Sequence, residues 1–480
     1  MGTEGIFAAA DLGASSGRVI LGRLSDGVLT TEEVARFDNT PQTLADGLHW
    51  DGNRLYAAIR DGFREALARA GHLDAVGIDT WGVDYGRLDA GGAWFEAPFN
   101  YRDSRTDGVP ERVFAVLPPA TLYGITGAQV QPFNTIFQLV AGAGDPGWDE
   151  VESILLMPDL FAHRLTGRSV AEVTNASTTA LLDVTNRRWS DAVANVLRTE
   201  FGAPLPHVLP ELVEPGTVLG TTLPGVLDAP VPVVAVGSHD TASAVASVPA
   251  ENDRFAYISS GTWSLVGLEL DAPVLTEASR EANFTNELGI DHTVRYLKNV
   301  MGLWVLSECQ RAWAAAGLTS DLATLLAGAA DRPAMTCVLD MSDSRLIPPG
   351  DMPGRLAAMA AETGQPWSSD PIAVTRVIMD SLAVAYASAI TEACRLSGRE
   401  VDVVHIVGGG SRNALLCQLT ADTTGLPVVA GPAEGTALGN LLVQARAVGA
   451  ISGDRWALRA IVRASEALIR YEPEPSKGSD

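Results

Sequence analysis

The chain has 480 residues, 46% of them hydrophobic, and a formal net charge of −24. That length leaves room for two to four domains with sizeable cores, and the apolar content excludes a disordered chain. The acidity, with no long basic patch, argues against a nucleic-acid partner, and any polyanionic ligand would need Mg2+, backbone N–H groups or placed arginines to hold it.

The lysines are Lys298 and Lys477 alone, so there is no P-loop, whose lysine must follow its glycine-rich turn. Cys309, Cys337, Cys394 and Cys417 show no metal-ligand spacing and read as reduced thiols. The stretch MGTEGIFAAADLG lacks the basic and apolar regions of a signal peptide. Those reduced thiols fit a cytoplasmic protein, and no apolar run reaches about 18 residues, so no membrane span is expected.

Residues 6–24 read as strand, tight polar turn and strand, with Gly13 and Gly17 as punctuation. A helix follows over 55–71, with Leu55, Ile59, Phe63 and Leu67 on one face. Residues 73–94 are again strand, turn and strand, and 155–167 lead into a helix closed by Gly167. The run 231–248 predicts an apolar strand, a polar turn and a small-residue helix. Residues 254–270 repeat the shape of 6–24, which suggests two similar domains. A long helix over 373–398, a strand and triple-glycine turn near 401–413, a strand over 426–430 and a helix over 435–449 complete the alternation. Buried strands alternating with helices define an α/β fold with both sheet faces covered.

Asp240 stands at the end of the apolar run, where ligands of open α/β sheets bind. Helix capping is one role for an acid there; a general base toward a hydroxyl is the other. His239, Thr241 and Ser243 crowd it and favour a small-molecule site. Asp11 ends the first strand before a turn of small residues that lets backbone N–H groups approach an anion. Asp11 suits Mg2+, through oxygen or water, or is simply a residue before a hairpin turn. Gly408–Gly410 open a helix after a strand, a good nucleotide position but a weak signal alone. Trp81 reads first as core, with Gly82 beside it allowing a flat ring to approach the backbone. The charges of YRDSRTDG, residues 101–108, read as a solvated loop.

In order along the chain stand DLGASSGR, GIDTWGVD, YRDSRT, PFNT, LLMPDLF, SHDTASAV, SSGTWSL, LKNVMGLW and HIVGGGSRN. Together, from about residue 7 to residue 445, they resemble the FGGY carbohydrate kinases. The resemblance implies two actin-like, ribonuclease-H-type α/β domains around a catalytic cleft. Residues 1–245 would carry the sugar and phosphate-loop site and 246–470 the nucleotide site, with 471–480 a loose tail. It implies Asp240 as proton acceptor, with Gly82, His239, Thr241 and Asn299 joining it on the sugar. Ala14, Ser15, Ser16, Gly17 and Arg18 match the family's phosphate loop, Thr262 a second phosphate loop and Gly409 the adenosine site. Asp11 would organise Mg2+, with ATP as co-substrate. Ser307 stands where family members carry a longer polar side chain that reaches the nucleotide. TWGVD, YRDSRT and LKNVMGLW resemble the branch that acts on L-rhamnulose. Another ketose or polyol, or a non-catalytic sugar sensor, are the alternatives.

Overall fold

The computed structural model describes residues 4–474; Lys477 and the last six residues of the expected tail lie outside that range. The chain forms two compact units. Residues 4–247, 269–296 and 435–465 make the first; 248–268, 297–434 and 466–474 make the second. The first crossing falls beside the expected cut at residue 246, but two later segments return to the first unit.

The first unit is built on a six-stranded sheet. Its strands are β1 (Gly5–Leu12), β2 (Ser16–Ser25), β3 (Val28–Asp38), β4 (Ala75–Thr80), β5 (Thr217–Thr221) and β6 (Pro232–Ala235), in the order β5-β6-β4-β1-β2-β3. β1, β2 and β3 form an antiparallel meander, while β4 runs parallel to β1 and β6 parallel to β4. Alternate residues of β1 face opposite sides, as strand geometry dictates. Ala8, Ala10 and Leu12 meet Leu55, Ile59 and Phe63 of the helix Gly52–Ala70 in one core cluster. Phe7 and Ala9 join Leu438, Leu441 and Leu442 of the helix Gly435–Ala447 in another.

Both helices carry local reasons for their place. Asp51 caps Gly52–Ala70 by accepting from Arg54 N, a device worth about 1 kcal/mol, and Gly71 ends it in the left-handed region. Gly435–Ala447 approaches very closely. A Cβ on Gly77 of β4 would lie 2.6 Å from Asn440 Oδ1, and one on Gly439 only 1.8 Å from the Ser243 carbonyl oxygen. Ser243 belongs to the helix Asp240–Ala246, so two helices touch backbone to backbone at Gly439.

The second unit repeats the plan. β7 (Phe255–Ser260) and β8 (Trp263–Leu270) form a hairpin, and β9 (Val403–Val407) and β10 (Val428–Ala430) follow in parallel. β11 (Ile469–Tyr471) closes the edge antiparallel to β10, so β8-β7-β9-β10-β11 are five successive strands of a seven-stranded sheet. Tyr471 therefore ends a paired strand and does not begin a loose tail. The helix Pro371–Ser397 has the length and composition to cross a membrane, contrary to the expectation that no stretch has both. Yet 67% of its apolar window is buried in the protein, and Arg376 pairs with Asp380 at 2.9 Å within it, as in a core helix.

Gly439→Ala should lower the urea midpoint, with a stability loss of about 1–3 kcal/mol from overpacking, although alanine alone favours a helix by about 1 kcal/mol. An unchanged or raised midpoint would mean that the helix contact has slack.

Candidate active site

The parallel sheet of the first unit gathers three aspartates at the ends of neighbouring strands. Asp11 on β1 is the register partner of Asp79 on β4. Thr80 N donates to Ser238 O at 2.9 Å, and Thr80 bridges His239, which puts Asp240 next in line. Asp240 opens the helix Asp240–Ala246. Its carboxylate accepts from Thr241 Oγ1 at 3.1 Å and lies 3.4 Å from His239 Nε2.

Electrostatics follow from this crowding. Burial pushes the Asp240 carboxyl up; His239 opposes the shift and Asp11 adds to it. Asp79 is fully buried and is pushed well up, first by burial and then by Asp11, while Asn440 and Arg18 pull the other way and Asp240 adds to it. Asp79 Oδ2 accepts from Asn440 Nδ2, and Asp79 Oδ1 has no hydrogen-bond partner. Gln444 Nε2 donates both to Asn440 Oδ1 and to Ala8 O, which continues the polar line through the helix face. Asp11 is held by Arg18, whose Nη2 and Nε donate to Oδ2 at 2.8 and 3.1 Å.

The segment carrying Asp240 is fixed from behind. Ser238 N and Oγ both donate to Glu172 Oε2, at 3.0 and 2.8 Å, and Ser243 Oγ donates to Gly237 O at 2.7 Å. Glu172 is fully buried, and neither it nor Asp79 was among the expected site residues.

The expected phosphate loop is narrower than its matched residues. Ser16, Gly17 and Arg18 lie within β2, so the turn itself is Gly13, Ala14 and Ser15. Asn39 holds that turn, donating from Nδ2 to Gly13 O at 2.7 Å and from its backbone N to Ser15 O at 3.2 Å. Gly17 has a packing reason, since a Cβ there would meet the Phe37 ring at 2.3 Å. Gly82 also has one, because Thr178 fills the space of its missing side chain. Val83 next to it sits at φ 69°, a strained region for a β-branched residue. Thr178 Oγ1 accepts from its N–H, and Thr135 donates to its carbonyl.

Trp81 is buried in the core. Its Nε1, Trp50 Nε1 and Tyr101 N all donate to Asp84 Oδ2, and Gln138 Nε2 donates to Oδ1. Asp84 is thus the acceptor that ties three segments together, and burial pushes its carboxyl up to about 6. The 101–108 segment is not a solvated loop. Tyr101 and Thr106 are buried, Arg105 stacks 3.8 Å over Phe99, and Asp103 accepts from Leu48 N. Aromatic rings, a backbone amide and a backbone carbonyl receive the charges of Arg102, Asp103 and Arg105, while Asp107 stays exposed.

Thr262, Asn299, Ser307 and Gly409 belong to the second unit. The carbonyls of Gly261 and Thr262 accept from Leu303 N and Trp304 N, which ties the β7–β8 turn to the start of the helix Trp304–Ala315. Asn299 is half-buried on the strand Val294–Met301. Ser307 is exposed and its hydroxyl donates back to Leu303 O. Among the three glycines, Gly408 and Gly410 are required by close contact with Ser260. Gly409 is exposed, with nothing within 4 Å of where its Cβ would stand, so its backbone is open to a ligand.

The first unit thus sets an acid at each of two neighbouring strand ends and a third at the start of the next helix. The chain belongs to the FGGY family of carbohydrate kinases: the model of the family's N-terminal domain matches residues 6–246 and that of its C-terminal domain residues 256–448. Within that family it is similar along nearly all of its length to rhamnulokinases. That of Bacteroides thetaiotaomicron is 39% identical over 477 residues, covering 98% of this chain and 96% of the relative. That of Pectobacterium atrosepticum is 41% identical, covering 97% and 92%. Among solved structures, a gluconate kinase from Lactobacillus acidophilus superposes with a TM-score of 0.78 at 15% identity, covering 98% and 94% of the two chains, and shares the fold.

A raised carboxyl contributes stability that is full below its unfolded value and is lost as pH rises through its folded value. For Asp84 that window runs from the ordinary carboxylate range to about 6. The stability advantage of the parent over Asp84→Asn should therefore shrink by about 1 kcal/mol or more between pH 5 and pH 7. Urea midpoints of both proteins at the two pH values test this, and a gap that widens with pH would contradict it.

Proposed function

We propose that the protein transfers the γ-phosphoryl group of ATP to the 1-hydroxyl of L-rhamnulose, giving L-rhamnulose 1-phosphate and ADP, with Asp240 as proton acceptor. The observation that carries the chemistry is the placement of Asp240. Its carboxylate opens a helix behind a buried strand, is raised by burial, and stands between His239 and Thr241. The sugar follows from the near full-length likeness to rhamnulokinases.

Phosphoryl transfer asks the protein mainly for positioning and charge stabilisation. Asp240 takes the hydroxyl proton as the oxygen attacks phosphorus. His239, Thr241, Gly82 and Asn299 orient the sugar. The turn at Ala14 and Ser15 and the β7–β8 turn at Thr262 hold phosphate through backbone N–H groups, with Gly409 against the adenosine. Ser16, Gly17 and Arg18 support that turn from β2, where Arg18 holds Asp11.

The residues also fit a magnesium ion brought in with the nucleotide. Among the described residues no group of three or more His, Cys, Asp or Glu side chains could hold a metal ion. Mg2+, however, typically uses only one or two carboxylates beside water and phosphate oxygens. Asp11, with the unpartnered Asp79 oxygen beside its strand, offers that set. Bound there, the ion would neutralise charge on the phosphates.

A panel of L-rhamnulose, L-fuculose, D- and L-xylulose, L-ribulose and glycerol with MgATP, read by ADP release, should show a clear preference for L-rhamnulose. Preference for another sugar would overturn the sugar assignment alone, and silence with all of them the kinase reading of this chain. Asp240→Asn should lower kcat by ~10²–10⁴ while sugar binding measured by calorimetry is largely kept. Near-parental kcat would remove Asp240 from the role. Asp11→Asn should raise the Mg2+ concentration needed for half-maximal rate; an unchanged Mg2+ dependence would remove Asp11 from the metal.

A further inference from the structure

Behind the expected sugar contact His239 lies a buried pair that neither the motifs nor the family resemblance assigns. Glu287 sits on the strand Thr285–Leu288 and Arg295 on the strand Val294–Met301, and both are buried, Arg295 completely. Arg295 Nη1 lies 3.0 Å from Glu287 Oε2. Both reach the same edge of the imidazole: His239 Nδ1 is 3.1 Å from Glu287 Oε2 and 3.2 Å from Arg295 Nη2. The opposite edge, Nε2, faces Asp240 Oδ1 at 3.4 Å.

We propose that Glu287 and Arg295 are positioning residues that clamp the His239 ring so that its Nε2 faces the Asp240 carboxylate. The clamp selects one tautomer. The Nδ1 lone pair accepts from Arg295 Nη2, which leaves the hydrogen on Nε2, directed toward Asp240, while Glu287 Oε2 stands against the same nitrogen as an ion-pair partner. Arg295 is itself fixed, since its Nε donates to Leu288 O at 3.1 Å. Leu288 N in turn donates to Ser177 Oγ at 2.9 Å.

The pair also settles a charge problem. A lone guanidinium buried behind His239 would be costly and would draw the field of the Asp240 carboxylate toward itself. Glu287 is kept ionised: burial pushes its carboxyl up, but Arg295 and His239 outweigh that and bring it below its usual range. The two charges cancel close to the ring, so His239 is oriented by ionic partners without adding a net cation beside Asp240. Ionic partners hold a ring more stiffly than neutral ones, because charge-assisted hydrogen bonds are about twice as strong.

The test uses the full chain and the variants Glu287→Gln, Arg295→Lys and His239→Asn. The first readout is the pair of ring-nitrogen signals of His239 in protein labelled with 15N-histidine, assigned by their loss in His239→Asn. It does not depend on the kinase reading; the second, steady-state kinetics, rests on it. In Glu287→Gln the ring signals should shift, and kcat for the preferred sugar should fall about 10- to 100-fold with KM for ATP within about threefold. On the His239→Asn background the same change should add little further loss, because its effect runs through the ring. Should Glu287→Gln fail to fold, Arg295→Lys carries the same readouts. Unchanged His239 signals in the variants, or losses that multiply with that of His239→Asn, overturn the proposal. A parent that phosphorylates no sugar would sink the kinase reading, and the ring signals would still decide the clamp.

Discussion

Carboxyl groups crowded together in a buried place are the constraint around which the first unit is arranged. Asp11 and Asp79 are locked side by side by the parallel register of β1 and β4, and Asp240 follows where Ser238 and His239 extend the sheet past Thr80. Two ionised carboxylates 4 Å apart would repel by about 4 kcal/mol at an effective dielectric of 20, and the raised carboxyls of Asp79 and Asp240 are the response to burial and to that crowding. A sheet keeps such a group assembled, because each strand is pinned by backbone hydrogen bonds and apolar faces on both sides. The residual strain is answered locally, by Arg18 on Asp11, Asn440 on Asp79, and Thr241 and His239 on Asp240.

Small residues make that answer possible. Ala8, Ala9 and Ala10 leave β1 thin, Gly77 leaves a gap in β4, and Gly439 lets its helix reach the backbone of Ser243. Only at that range can Asn440 and Gln444, both fully buried, reach Asp79 and the Ala8 carbonyl from a helix. One helix thus supports both the strand of Asp79 and the helix that Asp240 opens. Packing and electrostatics are solved by the same contact.

Much of this was legible in the chain. Apolar runs broken by glycine mark the strands and turns, and Gly71, Gly167 and Gly398 end helices in the left-handed region where the 3.6-residue pattern stops. An acid closing an apolar run singled out Asp11 and Asp240. The same signal marks Asp79 after LDAVGI, but in that stretch only Gly82 was expected to meet a ligand. Glu172, Glu287 and Arg295 carry no such mark. Each is a polar residue in an ordinary strand, and only the tertiary fold shows that it is buried and what it meets. The 101–108 segment misleads for a related reason: counting charges suggests water, whereas Arg105 and Asp103 are satisfied by Phe99 and the amide of Leu48. Gly17 and Gly82 show that a glycine inside a binding motif can answer first to a neighbouring side chain.

The return of residues 435–465 to the first unit has a consequence for synthesis. The helix Asp240–Ala246 is made roughly 190 residues before its packing partner Gly435–Ala447. At about 5–20 residues per second, that is a delay of about 10–40 s on the ribosome. During it the far face of β1 and β4 has no cover, and the aspartates lack Asn440. The usual order, in which an N-terminal domain finishes before its successor emerges, is closed to this chain. Its first half waits, open and apolar on one side, until residues 435–447 have been translated.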